Sequence, residues 1–319
     1  MTGTSLVSVV ISCHNAEAWI GEAVDSCLGQ TYSCLEVIAV DDGSTDGSAS
    51  ILRSYGEQIR WIGGPNRGGN HARNQGLALA QGEYIQFLDA DDYLLPEKIE
   101  RQVAFLEESG ADVVYGDWRH QFHEAGGSSR LGAVELAGHR ADTLESLLAG
   151  WWVANHAFLL RRQVVLDGGG WDESFSAGQD RDFITTLALN GADIRYQPGC
   201  YSVYRRYGNV TVSTSDPVRW LANHQRVLEK AELALAATDR LSPRYRRALA
   251  ASYFRIARSY YDTDRAAYRR LLDRTLALWP DFRPEESAFY NTASRLFGFA
   301  FADRLASYKR RVCHLGEGA

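Results

Sequence analysis

Asp89-Ala90-Asp91-Asp92 places three carboxylates within four residues at the end of an apolar run, Tyr84 to Leu88. Like charges this close repel, and each is costly to bury, unless a cation sits among them. Oxygen-only ligands suit magnesium or manganese, ions that commonly take one or two carboxylates together with substrate phosphates. The same residues also suit a turn and helix cap ahead of Pro96, and Asp92 is expected to serve only as that cap. A second acidic run, Asp41-Asp42-Gly43-Ser44-Thr45-Asp46, is built from ordinary turn formers but offers acceptors to a base or ribose. A third, Gly68-Gly69-Asn70-His71-Ala72-Arg73-Asn74, puts two glycines before a helix start with Arg73 in its first turn. Free N–H groups at such a helix end attract anions, and arginine forks phosphate; a plain glycine hinge is the alternative.

The elements that must position these residues alternate. Leu6 to Ser12 predicts a strand buried on both faces, and Leu35 to Val40 a second. Between them Asn15 is expected to cap an amphipathic helix carrying Trp19, Ile20, Ala23, Val24, Cys27 and Leu28. Asn70 to Gln81 predicts a helix, Tyr84 to Leu88 a strand, Pro96 to Ser109 a helix, and Asp112 to Trp118 a strand. Such alternation points to a parallel sheet with helices on both faces, whose ligands bind beyond the carboxyl ends of the strands. His123 to Arg140 predicts a loop, followed by order at Leu144 to Leu148 and Ala157 to Arg161 and a helix from Asp180 to Asn190. After about Asp216 the pattern is helical, with Tyr245 to Tyr261 and Ala266 to Leu278 as a helical hairpin.

A chain of 319 residues suits one large domain or a domain with an extension, and a net charge of −6 argues against a nucleic-acid partner. Five scattered cysteines without metal spacing suit reduced thiols. The N-terminus lacks the basic region of a signal peptide, and no apolar run approaches the roughly 20 residues that span a bilayer. The expectation is a soluble, cytoplasmic protein. Arg295, Arg304, Lys309, Arg310 and Arg311 near Phe297, Phe299 and Phe301 also suit an interfacial helix on the inner face of a membrane. A solvated helix packed on the first domain is the alternative.

Val7-Ser8-Val9-Val10-Ile11-Ser12-Cys13-His14-Asn15, Val40 to Ser48, Ala72-Arg73-Asn74-Gln75-Gly76 and Gly82 to Asp92, in that order, closely resemble family 2 of the GT-A glycosyltransferases. The resemblance implies an α/β fold, a Rossmann-like mixed sheet flanked by helices, with a C-terminal helical extension. It implies a catalytic domain over residues 1–215, divided into a nucleotide-sugar half (1–110) and an acceptor half (111–215), and an extension over 216–319. Ser12, Asn15, Asp42, Arg73 and Asp89 would face the donor, with Asp91 the main ligand and Asp89 an auxiliary ligand of Mn2+ or Mg2+. Trp171-Asp172-Glu173 and Gln179-Asp180-Arg181-Asp182 match the acceptor-side segment, with Asp180 as catalytic base; an N-cap is the alternative for Asp180, and Gln179 stands where a Glu is usual. Trp152, with Trp171 and Asp172, would line the acceptor pocket, beside Trp151, Asn155 and His156. His156 is expected to be a satisfied polar residue. Tyr204 to Thr211 resembles a basic segment closing over the diphosphate, with Arg205 and Arg206 as phosphate contacts and Tyr207 in place of a frequent His.

The implied reaction is an inverting transfer from a UDP-type nucleotide sugar to a hydroxyl of a saccharide or glycoconjugate acceptor, in glycan or polysaccharide biosynthesis. Two other readings stay open: a sugar nucleotidyltransferase, which would carry a Gly-rich Arg loop where this chain has Ser12-Cys13-His14-Asn15, and a non-catalytic nucleotide-sugar-binding protein.

Overall fold

Valine and isoleucine at successive positions make β1 (Val7–Cys13) a strand buried on both faces, the place for a central parallel strand. β2 (Leu35–Asp42) and β4 (Tyr84–Asp89) flank it in parallel, and the register sets Ser12 beside both Val40 and Asp89. β3 (Arg60–Gly64) adds the outer parallel strand, and Asp41 and Asp42 pair with Gly63 and Gly64. Its five residues are half exposed and end in two glycines, which is why no strand pattern announced it. A computed structural model describes residues 5–124, 126–208 and 216–316, with side chains of the last helix given to Tyr308.

Beyond β4 the direction changes. β8 (Phe158–Arg161) is antiparallel to both β4 and β6 (Val113–His123), so β6 runs with β4. β9 (Ile194–Arg206) is parallel to β6, and the short β5 (Tyr93–Leu94) closes the edge antiparallel to β9. The sheet order is β3-β2-β1-β4-β8-β6-β9-β5. The all-parallel sheet suggested by simple alternation is thereby corrected to a mixed one, in agreement with the GT-A expectation. The expected loop at 123–140 is also corrected: β7 (Ser129–Glu135) pairs antiparallel with β6. Its side chains are nearly all exposed, so it has no apolar period to read.

Helices α1 (Ile20–Leu28), α2 (Ser48–Ser54), α3 (Gly69–Leu79), α4 (Lys98–Ser109), α5 (Thr143–Leu148), α6 (Arg162–Asp167) and α7 (Gln179–Leu189) connect the strands. α1 begins five residues after Asn15, whose backbone is left-handed at φ 49°, so Asn15 does not cap it. Instead Asn15 Oδ1 accepts from Thr45 N at 2.8 Å and the Asn15 backbone N–H donates to Ser44 Oγ at 2.9 Å, tying the loops after β1 and β2.

The chain divides into two compact units, Met1–Leu147 with Trp151–His224, and Leu148–Gly150 with Gln225–Ala319. The second is built from α8 (Pro217–Ala237, from Gln225), α9 (Pro243–Tyr260), α10 (Arg265–Leu278), α11 (Ala288–Phe297) and α12 (Phe299–Gly316). α9 and α10 form the expected hairpin, and Asp264 caps α10 by accepting from Ala266 N and Ala267 N at 2.9 Å each. Asp303 of α12 is buried, accepting from Tyr268 and Tyr290 hydroxyls at 2.8 Å each and from Arg258 Nε at 3.0 Å. Phe289, Leu296, Phe297, Phe301 and Tyr308 of the same two helices are exposed. No helix among the described residues is long and apolar enough to cross a membrane.

The approach of α3 to β1 has no spare room. A Cβ on Gly76 would lie 2.3 Å from Val10 Cγ1, and a β-branched residue in a filled core has no other rotamer to adopt. Gly76→Ala is expected to destabilise the first unit by about 1–3 kcal/mol, read as a lower melting temperature; an unchanged value would show that α3 can lift without loss.

Candidate functional site

The carboxyl ends of β1, β2 and β4 bring Ser12, Asp41, Asp42 and Asp89 to one edge of the sheet, as anticipated. Ser12 Oγ donates to Asp89 Oδ1 at 3.2 Å, and Arg73 Nη2 donates to the same oxygen at 2.5 Å. Arg73 is buried, its guanidinium 4.6 Å from the Trp171 ring centroid and 3.2 Å from Asn70 Oδ1. Burial alone would raise the Asp89 carboxyl, but Arg73, with His156 and Ser12, holds it below the ordinary range.

Asp92 is not the helix cap that was expected. It is sealed from solvent, with Oδ1 accepting from Arg205 N at 2.7 Å and Oδ2 lying 2.9 Å from His156 Nδ1. Burial raises its carboxyl, and His156 opposes that rise. His156 belongs to a single 3-10 turn, Asn155–Ala157, and its ring stacks on Tyr204 at 5.8 Å. Three buried side chains hold that turn by its carbonyls: Gln86 Nε2 donates to His156 O at 3.1 Å, Gln102 Nε2 to Ala157 O at 3.0 Å, and Lys98 Nζ to Phe158 O at 2.7 Å. Lys98 also donates to Gln86 Oε1, and its burial pulls its ammonium well below the ordinary range. Neither Lys98 nor the pairing of His156 with Asp92 was foreseen, since no local pattern marks a lysine as buried.

Asp91 is held differently. Burial, then the neighbouring Asp92 and Asp89, push its carboxyl up to about 7. Among the described residues no cationic side chain pairs with it; Oδ2 accepts from the Tyr207 hydroxyl at 2.9 Å. Asp42 turns both oxygens to the glycine loop, accepting from Arg67 N and Gly68 N at 2.8 Å each, and so shapes the entry to α3. Gly68 precedes the helix at φ 97°, a conformation that favours glycine.

Two expected contacts are corrected. The Arg205 side chain is sealed, donating to Asp91 O at 2.7 Å and Glu22 Oε2 at 2.6 Å and lying between Trp19 and Tyr93 rings at 4.5 and 5.0 Å, so it presents no surface to a phosphate. Adjacent strand residues point to opposite faces, and it is Arg206 that is partly exposed, its guanidinium over Tyr204. Trp171 is core, stacked on Phe183 at 4.1 Å and edge-on to Phe87 at 5.2 Å, so it has no face for an acceptor sugar. Asp172 shapes the following turn by accepting from Ser174 N at 3.0 Å. Asn209, Val210 and Thr211 lie outside the described residues, as do the side chains of Lys309, Arg310 and Arg311.

Asp180 stands in the first turn of α7, whose cap is Gly178, so Asp180 is not spent as an N-cap. Its Oδ2 accepts from Trp152 Nε1 at 2.5 Å and its Oδ1 from Arg181 N at 2.9 Å. Trp152 lies edge-on to Tyr204 at 6.3 Å, and Tyr204 stacks on His156. A continuous set of contacts therefore joins Asp180 to Asp92 and the acidic end of β4. Among the described residues no group of three or more His, Cys, Asp and Glu is arranged to hold a metal by itself.

Comparison with known proteins gives three findings. Residues 8–169 match the family model described as glycosyl transferase family 2. The glycosyltransferase GlyG of Streptococcus pneumoniae is 37% identical over 254 residues, 74% of this chain and 83% of that protein. A glycosyltransferase of Haemophilus influenzae is 37% identical over 117 residues, and the match spans 47% of its length, so the likeness there covers about half of the relative. Among solved structures, residues 1–349 of S. aureus TarS superpose with a TM-score of 0.68 at 19% identity, covering 96% of this chain and 91% of that one. The same protein in complex with UDP-GlcNAc gives 0.67 at 20% identity, covering 85% and 79%.

A carboxyl held at about 7 when folded, against an ordinary 3.8, binds its proton more tightly in the folded chain. The stability this lends is full below the unfolded value and is lost as pH rises through about 7. Asp91→Asn should remove that loss. With a chelator present, its melting temperature is expected to exceed that of the unaltered chain by an amount that grows from about pH 5 to about pH 8; a gap that stays constant across this range would show an unperturbed carboxyl.

Proposed function

The chain belongs to glycosyltransferase family 2, with the GT-A fold, and from that premise we propose that it is an inverting enzyme moving a hexosyl or N-acetylhexosaminyl group from a uridine diphosphate sugar to a hydroxyl acceptor. The observation that carries this reading is Asp180: a carboxylate at the opening of α7, oriented by the Trp152 indole and joined through Tyr204 and His156 to the acidic end of β4. A saccharide or glycoconjugate is the acceptor class, and residues 1–110 and 111–215 serve donor and acceptor respectively. The uridine donor is supported by the TarS likeness, a protein whose structure holds UDP-GlcNAc.

In this reading Asp180 takes the acceptor proton as the hydroxyl attacks the anomeric carbon from the side opposite the nucleotide, help worth about 10²–10⁴-fold. Trp152 fixes which carboxylate oxygen faces the acceptor by holding Oδ2. Ser12 and the loop shaped by Asn15 and Asp42 receive the base and ribose, and the N-terminus of α3 beyond Gly68 faces the diphosphate. Arg73 acts by fixing Asp89. Asp91, with Asp89 beside it and no cationic partner of its own among the described residues, would hold a divalent cation, Mn2+ or Mg2+, which would supply positive charge to the departing diphosphate.

The second unit fits the inner face of an anionic membrane. Leu296, Phe297 and Phe301 are exposed around the junction of α11 and α12, with Arg295 and Arg304 also exposed and the one acid of these helices, Asp303, turned inward. Apolar side chains with only positive outward charge suit such a surface.

Asp180→Asn should lower transfer by at least about 10²-fold while calorimetry finds UDP-sugar binding with Mn2+ nearly unchanged, and the released product should be nucleoside diphosphate; normal turnover would place the base elsewhere. Phe297→Asp with Phe301→Asp should abolish sedimentation with phosphatidylglycerol vesicles, and equal sedimentation of both chains would remove the membrane reading.

A further inference from the structure

Tyr207 has no place in the reaction just described, yet its side chain is hydrogen-bonded to the cation's main candidate ligand. Its hydroxyl donates to Asp91 Oδ2 at 2.9 Å. Its ring rests on Trp19 at a centroid distance of 5.1 Å, and 39% of the residue is exposed. The chain just before it is pinned. Arg205 donates its N–H to Asp92 Oδ1 and its guanidinium to Asp91 O and Glu22, each at 2.7 Å or less. With β9 fixed there, the phenol can leave Asp91 by rotation of its own side chain, without moving the strand.

We propose that Tyr207 is a placeholder at the donor site: its hydroxyl occupies Asp91 while donor and cation are absent, and is released to a phosphate oxygen when they arrive. The argument is one of exchange. A carboxylate among other carboxylates needs a donor or a cation, and Tyr207 is the donor this chain supplies. A cation arriving alone must displace the hydroxyl and leave it without an acceptor. A cation arriving with a nucleoside diphosphate brings new acceptor oxygens within the same site. Tyr207 therefore weakens binding of the bare cation and makes cation and nucleotide assist each other, a coupling that acts equally in both directions. This rests on the cation and nucleotide reading given above, and it makes Tyr207 a positioning residue, not a catalytic one.

The test is Mn2+ titration followed by the paramagnetic resonance of free Mn2+, with and without UDP, on the full chain and on Tyr207→Phe. The variant is expected to bind Mn2+ alone about 3- to 10-fold more tightly, and the gain in Mn2+ affinity on adding UDP should shrink by a similar factor. Asp91→Asn should lose Mn2+ in either background. An unchanged Mn2+ affinity in Tyr207→Phe overturns the proposal, and a weaker one does so too by making the phenol itself a ligand. If the unaltered chain binds neither Mn2+ nor UDP, the donor reading itself fails and the placeholder with it, an outcome distinct from the other two.

Discussion

Asp92 sits fully buried between His156 and the backbone N–H of Arg205, and the candidate site is arranged around it. A carboxylate withdrawn from water at the end of a central strand is strongly unfavourable unless paired and hydrogen-bonded. Its partners come from the 3-10 turn before β8 and from β9, elements about 65 and 113 residues further along the chain. Asp92 thus ties the β3-β2-β1-β4 half of the sheet to the β8-β6-β9-β5 half. The demand passes downward as well: His156 must be held, and its turn is held by Gln86, Gln102 and a lysine that burial makes a poor cation but a serviceable hydrogen-bond donor.

With Asp92 settled by His156 and Asp89 by Arg73, the third carboxylate inherits the leftover charge. Asp91 is raised first by its burial and then by Asp92 and Asp89 beside it. Two of the three carboxylates thus have a cationic or imidazole partner, and the third has only the Tyr207 hydroxyl.

What could be read from the sequence was local or followed from parallel register. β1 was legible because its apolar run has only one reasonable fate, and the meeting of Ser12 with Asp89 followed once β1 and β4 were both central and parallel. The failures share a cause, distant pairing. Arg205 and Arg206 are indistinguishable by type, and only the packing of β9 against Trp19 and Tyr93 decides which is sealed. Trp171 looked like a sugar platform until Phe183 and Arg73 covered its two faces. Asn15 has the chemistry of a cap, but Thr45 and Ser44 claim it first. β7 is an edge strand with exposed side chains, and its existence depends on β6 alone.

The contacts of α3 bear on how such a protein can be recombined. Asn70 donates to Asp172 O at 2.7 Å, Asn74 exchanges hydrogen bonds with the backbone of Trp171 at 2.8 and 2.9 Å, and Arg73 lies on the Trp171 ring. The helix that follows Gly68 is therefore stitched to the loop that leads to Asp180. The stretches before and after residue 110 cannot be traded between homologous chains as interchangeable cassettes: a crossover there would inherit the arginine and asparagines from one parent and their seat from the other. A workable chimera would have to transplant α3 and the 170–174 loop together as one inherited block, however far apart they stand in the sequence.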